Sequence, residues 1–462
     1  MDSTSSVVDI QSSDIFQDSK SDEDIISENK DLDIEQPAIN NGNVEIIINN
    51  DSSNHFQTTE VSNEGIKLSN DDSANYFKTS ENCYDFSNYP IQITGAWKEF
   101  EKITENYTKG CKWSPDGSCF LSNSNDNCLR IFNLPESLWQ KSITWESVSE
   151  LQAVLFLQES GLIYDYCWYP LMSSFDPVTC CLASTSRHNP VHMWDAFTGQ
   201  LRCTYRPYND ADEIVPPHSL AFDPQGEKLY CGFNKTIRIF DVSRPGRDFT
   251  EKLTNENKDG QAGIISCFAF SSSSNHLFAA GSYCRTIGIY SAQELDLLFL
   301  LSGQMGGVTH LIFSSDGIKL FSGGRKDCEI LCWDIRNPGK VFYSMRRIVT
   351  TNQRMYFDID STGQYLISGN ENGVITVWDL NKPPENISGE NEPILHPVLF
   401  FQAHNDCVNG ISIHPSLPLL LSSSGQRKFP EPEDSEDSDD ETEKECKSEN
   451  SIRLWWSGKN EN

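Results

Sequence analysis

The sequence predicts an all-β fold made of repeated antiparallel sheets, and three observations lead to that expectation. Short apolar runs alternate with polar residues at a period of two, turns rich in Gly, Asp and Ser separate them, and the pattern recurs from about residue 84 onward. Residues 306–334 show the unit most clearly, with runs that end at Ser-Asp-Gly, at Ser-Gly-Gly and at Trp333-Asp334. One such sheet cannot bury its own faces, so the copies must stack on one another.

The number of copies follows from the aromatic residue that closes the third run of each unit. Seven such residues occur, and four of the six intervals between them are 43 to 50 residues long. They are Phe132, Trp194, Phe240, Tyr290, Trp333, Trp378 and Trp455. This spacing is close to that of a WD-repeat blade with its loops, so the sequence predicts a seven-bladed WD-repeat β-propeller over residues 84–458.

Each blade is expected to have a fourth, outer strand, for instance at 341–344 and 399–402. The last copy ends at Trp456 with six residues left, so it has no outer strand of its own. We therefore expect the segment 89–97 to supply that strand. The ring would then close between the two ends of the fold, which protects strand edges that otherwise invite aggregation.

Two acidic tracts account for most of the net charge of −31. Residues 1–80 contain 17 acidic residues and 4 Lys, and residues 431–449 contain 11 acidic residues and 2 Lys, so the two tracts carry 22 of the 31 charges. The first is predicted to be a disordered acidic tail, because it has too few apolar residues to bury. The second is predicted to be an acidic insert in the last blade. The rest of the chain is closer to neutral, so the negative net charge does not exclude a nucleic-acid partner.

Several classes of function find no support in the sequence. No apolar run approaches the roughly 18 to 20 residues of a membrane span, and the N-terminus lacks the order of a signal peptide. The 15 cysteines show no zinc-type spacing and are expected to be small buried residues, so no metal or other cofactor is predicted. His218, His310, His404 and His414 lie near strand starts and are expected to be structural. Without a nucleophile elbow or a phosphate-binding glycine loop, the protein is predicted not to be an enzyme.

One face of the predicted propeller is expected to be basic. In WD-repeat propellers the turns between second and third strands share a face with the links between blades. The residues expected there are Arg187, Lys235, Arg285, Arg325, Lys326 and Arg427, with Arg354 in a link and with Phe233 and Tyr283 as base-stacking rings. Cations that hold phosphates and rings that stack bases are typical of a surface for single-stranded RNA. For any single residue, an ion pair or a bond to a backbone carbonyl is the alternative.

Several unusual strings identify a family. They include YDYCWYPLMSS at 164–174, PVHMWDAFTGQLR at 190–202, TTNQRMYFDID at 350–360 and HPSLPLLLSSSGQRKFPEP at 414–432. From about residue 95 to 458 the chain closely resembles the telomerase Cajal body protein family of WD-repeat proteins. The acidic tract before the final RLWW string corresponds to a variable insert in that family.

The resemblance implies an RNA-binding scaffold. Family members recognise a Cajal-body box in the terminal loop of small Cajal-body RNAs of H/ACA or C/D architecture, and in vertebrates of telomerase RNA, and bring the particle to the Cajal body. The implied partners are these RNAs, telomerase RNA with its core proteins, and Cajal-body proteins. The implied location is the nucleus and its Cajal bodies, with some protein in the cytoplasm, and chaperonin-assisted folding is implied as well. The RNA-binding residues proposed above rest on loop position and charge, not on a family motif.

A function of a different class fits the same basic face. A protein-only WD-repeat scaffold, such as a substrate receptor, would use these cations to bind acidic peptides. Retention of RNA with a steep salt dependence would separate the two hypotheses, because RNA binding releases condensed counterions.

Overall fold

The protein is an all-β propeller of seven four-stranded antiparallel sheets, as the sequence predicts. The computed structural model describes residues 84–100, 106–139, 148–256, 259–272, 276–389, 392–427 and 449–458. The predicted acidic tail at 1–80 and residues 431–448 of the predicted insert lie outside the described residues. These described residues include one 3₁₀ turn, at Glu136–Leu138, and no helix among them is long and apolar enough to cross a membrane.

The first six blades use strands in chain order. Blade 1 is β2 (Thr108–Trp113), β3 (Cys119–Ser124), β4 (Cys128–Asn133) and β5 (Leu155–Gln158). Blade 2 is β6 (Ile163–Trp168), β7 (Cys181–Ser186), β8 (Val191–Asp195) and β9 (Leu201–Tyr205). Blade 3 is β10 (Ser219–Phe222), β11 (Lys228–Phe233), β12 (Thr236–Asp241) and β13 (Thr250–Leu253). A small hairpin, β14 (Asn255–Glu256) and β15 (Asp259–Gly260), follows it.

Blades 4 to 6 repeat the arrangement. Blade 4 is β16 (Ile265–Phe270), β17 (Leu277–Ser282), β18 (Thr286–Ser291) and β19 (Leu297–Ser302). Blade 5 is β20 (Val308–Phe313), β21 (Lys319–Gly324), β22 (Glu329–Asp334) and β23 (Val341–Arg346). Blade 6 is β24 (Phe357–Ile359), β25 (Tyr365–Gly369), β26 (Val374–Asp379) and β27 (Leu399–Gln402). β23 and β27 confirm the two fourth strands predicted from the sequence.

The last blade joins both ends of the fold. It contains β28 (Val408–Ile413), β29 (Leu419–Ser424) and β30 (Ser451–Trp456), and β1 (Ile91–Ala96) forms its outer strand. β1 pairs antiparallel with β30, from Ile91 opposite Trp456 to Ala96 opposite Ile452. The predicted closure by the segment 89–97 is therefore confirmed. The ring cannot open without breaking this ladder.

The closing aromatics form the contacts between neighbouring blades. Each lies on the third strand of its blade, and all but the half-buried Trp194 are buried. Trp333, for example, packs on Ile287 and Ile289 of blade 4. Its indole N–H donates to Ser322 Oγ at 2.9 Å, and that hydroxyl donates to Gln304 Oε1 at 2.8 Å. The aromatic residue thus buries apolar area and also connects three segments of one blade by hydrogen bonds.

Histidine replaces glutamine in the equivalent network of the last blade. Trp455 donates to Ser422 Oγ at 2.8 Å, Ser422 lies 2.7 Å from His404 Nε2, and His404 Nδ1 lies 2.7 Å from Glu449 Oε1. His310 and His414 hydrogen-bond backbone carbonyls, and the ring of His218 packs against Tyr164. These placements are the structural ones that the sequence predicts.

Candidate nucleic-acid interface

Four exposed cations lie on one face of the propeller, at the tips of turns in four successive blades. This upper face carries the turns between second and third strands and the links between blades. The residues are Arg187 in blade 2, Lys235 in blade 3, Arg285 in blade 4 and Lys326 in blade 5, and all four side chains are exposed. We call them the turn cations. Within the described residues, none of their side chains takes part in a hydrogen bond or an ion pair.

Several of these turns hold a left-handed backbone conformation that a glycine would adopt more easily. The φ angles are 59° at Lys235, 66° at Arg285 and 48° at Lys326. At the position directly before the third strand, where Lys235 and Arg285 lie, blade 1 has Asn127 and blade 6 has Gly373, both with positive φ. A non-glycine residue in this region costs about 1 to 2 kcal/mol. Blades 3 and 4 therefore carry a cation where the backbone alone favours Gly or Asn, which is typical of functional positions.

An Arg285→Gly variant is expected to be as stable as the wild type, or more stable by up to about 1 kcal/mol. The change relieves the left-handed strain, and the greater freedom of glycine in the unfolded chain offsets part of that gain. Urea unfolding followed by tryptophan fluorescence measures the difference. Arg285→Lys keeps both the charge and the strain and is the control. A loss of more than 1 kcal/mol in Arg285→Gly would mean that the side chain has a structural role.

Arg325 and Tyr283 form a pair between blades 5 and 4, next to the turn cations. The guanidinium carbon lies 4.1 Å from the ring centroid, and Nη2 donates to Tyr283 Oη at 2.6 Å. Burial lowers the pKa of Arg325, and its Nε has no hydrogen-bond partner among the described residues. The predicted base-stacking residue Tyr283 therefore already carries a cation on one face of its ring, and the unpaired Nε of Arg325 is buried.

Arg354 reaches into the central channel instead of projecting from the face. Its Nη1 lies 3.1 Å from Asp165 Oδ1 on β6, and its Nη2 donates to the Ser266 carbonyl on β16 at 3.0 Å. Burial opposes its charge, but Tyr356 and Asp165 beside the guanidinium raise its pKa above the ordinary value. The residue connects blades 2, 4 and 6 across the channel. The sequence placed it in a blade link correctly, but the link directs the side chain inward, so we omit it from the proposed RNA contacts.

Phe233 does not have the exposed ring that the predicted base-stacking role requires, because its side chain is also directed into the protein. The ring is 5% exposed and belongs to the core around blades 2 and 3. The guanidinium carbon of Arg238 lies 4.9 Å from its centroid. Since protein covers the ring, the structure leaves no room for a base, and Phe233 is removed from the candidate stacking residues.

Blades 7 and 1 add a second basic region that the sequence reveals only in part. Arg427, predicted from its turn, is exposed and lies near Tyr107 and Lys109. The Lys109 amine is buried without a hydrogen-bond partner among the described residues, and burial lowers its pKa to about 8 although Asp126 opposes the shift. Lys109 was not predicted, because no local pattern separates it from other strand lysines. Only packing around the start of β2 buries it.

The described residues offer no competing metal site. Among them, no group of three or more His, Cys, Asp or Glu side chains is arranged to hold a metal ion. Nine of the 13 described cysteines are buried and all 13 are free, although Cys284 and Cys328 are exposed on turns of the upper face. In the part of the chain that the structure describes, this face therefore combines exposed cations with two rings that each have a cation nearby, Tyr283 with Arg325 and Tyr107 with Lys109.

Comparison with known proteins gives consistent matches. The model for "WD domain, G-beta repeat" matches residues 104–133, 253–291, 295–334 and 395–428. Telomerase Cajal body protein 1 of Mus musculus is 50% identical over 388 residues, which cover 81% of this chain and 70% of the mouse protein. The Homo sapiens protein of the same name is 50% identical over 385 residues, which cover 81% of this chain and 68% of the human protein. The Telomerase Cajal body protein 1 homolog of Drosophila melanogaster is 35% identical over 385 residues, which cover 77% of this chain and 66% of the fly protein.

Proposed function

Because this chain belongs to the Telomerase Cajal body protein 1 family of WD-repeat proteins, we propose that it is an RNA-binding scaffold without enzymatic activity. It recognises the Cajal-body box of small Cajal-body RNAs, and of telomerase RNA where that RNA carries the box. It directs these particles to Cajal bodies in the nucleus. The observation that carries the proposal is the row of turn cations on four successive blades of a protein whose net charge is −31.

The arrangement of the turn cations suits a single-stranded RNA loop. Successive blades place one unpaired cation each along an arc, and a flexible phosphate backbone follows such an arc more easily than a rigid duplex does. The Arg325–Tyr283 pair lies beside the arc and adds a cation in contact with an aromatic ring. The acidic tract at 431–449 repels RNA and favours its binding at the cationic positions.

The test is RNA binding by the full-length protein and a matched pair of charge-reversal variants. Lys235→Glu with Arg285→Glu changes the upper face, and Lys340→Glu with Lys382→Glu makes the same charge change at exposed positions on the opposite face. We expect the first variant to bind a labelled box-containing RNA hairpin at least ten-fold more weakly. The affinity of this variant should also depend less on salt. The slope of log K against log salt should be smaller in magnitude by about 1.4, because two fewer phosphates are neutralised. The second variant should bind nearly as the wild type.

The possible results separate the parts of the proposal. An equal loss in both variants would mean that net charge, not the upper face, controls binding. Wild-type binding that neither variant changes would place the RNA elsewhere on the protein. Crosslinking and sequencing of RNA bound in cells then identifies the ligands, and recovery of small Cajal-body RNAs that are lost in the Lys235→Glu, Arg285→Glu variant is the expected result.

A protein-only scaffold that binds acidic peptides is the second candidate, and one observation favours it. The burial of Phe233 and the covered face of Tyr283 leave fewer rings for bases than the sequence predicts, whereas carboxylates need only cations. Competition distinguishes the two candidates. If an acidic peptide of equal charge displaces the RNA hairpin as effectively as unlabelled RNA does, the face has no preference for RNA and this second candidate replaces the first.

A further inference from the structure

The lower face of blade 2 carries an apolar patch formed by two adjacent turns. This face holds the turns between first and second strands and between third and fourth strands. Between β6 and β7, Phe175 is 86% exposed, Val178 is 78% exposed and Leu171 is 54% exposed. Between β8 and β9, Phe197 is 54% exposed. We call these four residues the blade-2 apolar patch.

The patch is held in place by hydrogen bonds. The backbone N–H of Ser174 donates to Asp116 Oδ2 of blade 1 at 2.6 Å. Arg202 donates to the carbonyls of Val178 at 2.6 Å, Pro177 at 2.7 Å and Cys180 at 3.0 Å. These bonds fix the backbone that carries the patch, so the exposed side chains are presented by a defined surface and not by a loose loop.

The two turns are also joined to each other. Arg202 donates through Nε to Asp195 Oδ2 at 3.0 Å, at the start of the turn that carries Phe197. The N–H of Ala196 donates to the Cys180 carbonyl at 3.0 Å. Phe197 therefore belongs to the same surface as Phe175 and Val178. Large apolar side chains gathered on one surface are typical of a protein interaction site, whereas scattered ones need no explanation.

The border of the patch is anionic. Asp116, Asp176 and Asp195 lie in or against the two turns. Hydrogen bonds from Ser118, Ser114 and Ser174 lower the pKa of Asp116 despite its burial, and bonds from Thr198, Phe197 and Arg202 do the same for Asp195. Both carboxylates are therefore ionised at neutral pH. Arg202 is bonded to three carbonyls and forms an ion pair with Asp195, which offsets the charge of that carboxylate, so Asp116 and Asp176 supply the net negative charge of the border.

We propose that the blade-2 apolar patch is a docking surface for a partner protein segment that places apolar side chains between Lys or Arg residues. The apolar centre removes the apolar side chains of the partner from water, and the carboxylate border complements its cations. RNA is a poor fit, since the carboxylates repel phosphates. A second copy of this chain also fits poorly, since a twofold contact would bring the same carboxylates face to face.

The proposal does not depend on RNA binding, because the patch and the turn cations lie on opposite faces of the ring. A basic segment on the lower face leaves the upper face open, so one molecule can hold an RNA and a basic protein together. The acidic border also disfavours binding of an acidic competitor at the patch. The lower face thus adds a protein-binding function to the scaffold.

Peptide binding to the full-length protein tests the proposal. The probe is a fluorescein-labelled peptide in which two Phe residues are each flanked by Arg and Lys. One control peptide has Ser in place of Phe, and another has Glu in place of Arg and Lys. We expect the basic peptide with Phe to bind at least ten-fold more tightly than either control. We also expect Phe175→Ser with Val178→Ser to reduce its affinity at least ten-fold.

Matched variants make the result specific. Phe400→Ser removes another exposed apolar side chain, 66% exposed on β27, and should leave peptide binding unchanged. The patch variant should keep the thermal unfolding midpoint and the RNA affinity of the wild type. Equal binding of the Phe and Ser peptides, equal binding by the wild type and the patch variant, or no binding by the wild type would each overturn the proposal. Concentration-dependent dimerisation that the patch variant abolishes would assign the patch to a second copy and would overturn it as well.

Discussion

An Arg354→Met variant is expected to have a free energy of unfolding about 3 to 5 kcal/mol below that of the wild type, the usual cost of removing one partner of a buried ion pair. The side chain of Asp165 is 5% exposed and that of Arg354 is 14% exposed. Without the guanidinium, Asp165 keeps the backbone N–H bonds from Tyr166 and Leu220 and a Lys112 amine 3.8 Å away. We therefore expect the lower end of that range. Chemical unfolding followed by tryptophan fluorescence measures the change.

A double variant separates the ion pair from the loss of packing. If the buried charge of Asp165 causes the loss, Asp165→Asn in the Arg354→Met background should restore part of the stability. The RNA affinity of folded Arg354→Met should remain close to that of the wild type, since the residue connects blades across the channel. A variant with normal stability and weak RNA binding would contradict this placement and would return Arg354 to the RNA-binding residues.

The second large effect is a loss of stability in mild acid, caused by histidines that are buried in the neutral form. Burial lowers the pKa of His310 to about 3, with Lys112 contributing, and that of His414 to about 4. In the unfolded chain both titrate near 6.5. Below that pH the unfolded state takes up protons that the folded state excludes, so the free energy of unfolding falls as pH falls. The two histidines together account for about 4 kcal/mol between pH 7 and pH 5.

One carboxyl group opposes this trend. Burial raises the pKa of Asp358 to about 6, so the folded state takes up a proton there before the unfolded state does, which adds about 1 kcal/mol of stability over the same range. We expect a net loss of about 2 to 3 kcal/mol, measured as the shift of the urea midpoint between pH 7 and pH 5. His414→Gln should remove roughly half of the histidine contribution to the loss of stability between pH 7 and pH 5. A profile that stays flat in the wild type would show that these rings are not buried as neutral groups.

The strand pattern and the ring closure could be predicted from the sequence because they depend on local periodicity. Apolar alternation, turn residues and the closing aromatics recur in each blade, and a last copy without an outer strand leaves one position for β1 to fill. The turn cations could be predicted for the same reason, since a residue between two paired strands must lie at the tip of a turn. Arg187, Lys235, Arg285 and Lys326 are exposed where the pattern places them.

The remaining site residues depend on contacts between segments far apart in the chain. Arg354 lies in a link that the sequence locates correctly, but its partners Asp165 and Ser266 are 189 and 88 residues away in the chain. Phe233 is buried in a core shared by blades 2 and 3, and the amine of Lys109 is buried although the residue is partly exposed; nothing in their neighbouring residues indicates either. The blade-2 apolar patch is of the same kind, because Asp116 of blade 1 accepts a hydrogen bond from the Ser174 N–H, and Arg202 joins the two turns by donating to the Val178 carbonyl and to Asp195.

The sequence by itself therefore determined the number of blades, the strand order, the closure by β1 and the exposed cations at the turn tips. Each of these follows from the conformation of a few neighbouring residues, repeated seven times. Only the tertiary structure decided which charged and aromatic side chains turn inward to the channel or the blade contacts and which remain available to a partner. The physical reason is that burial and the pairing of charges depend on the three-dimensional contacts of a side chain, which bring together residues that no local pattern relates.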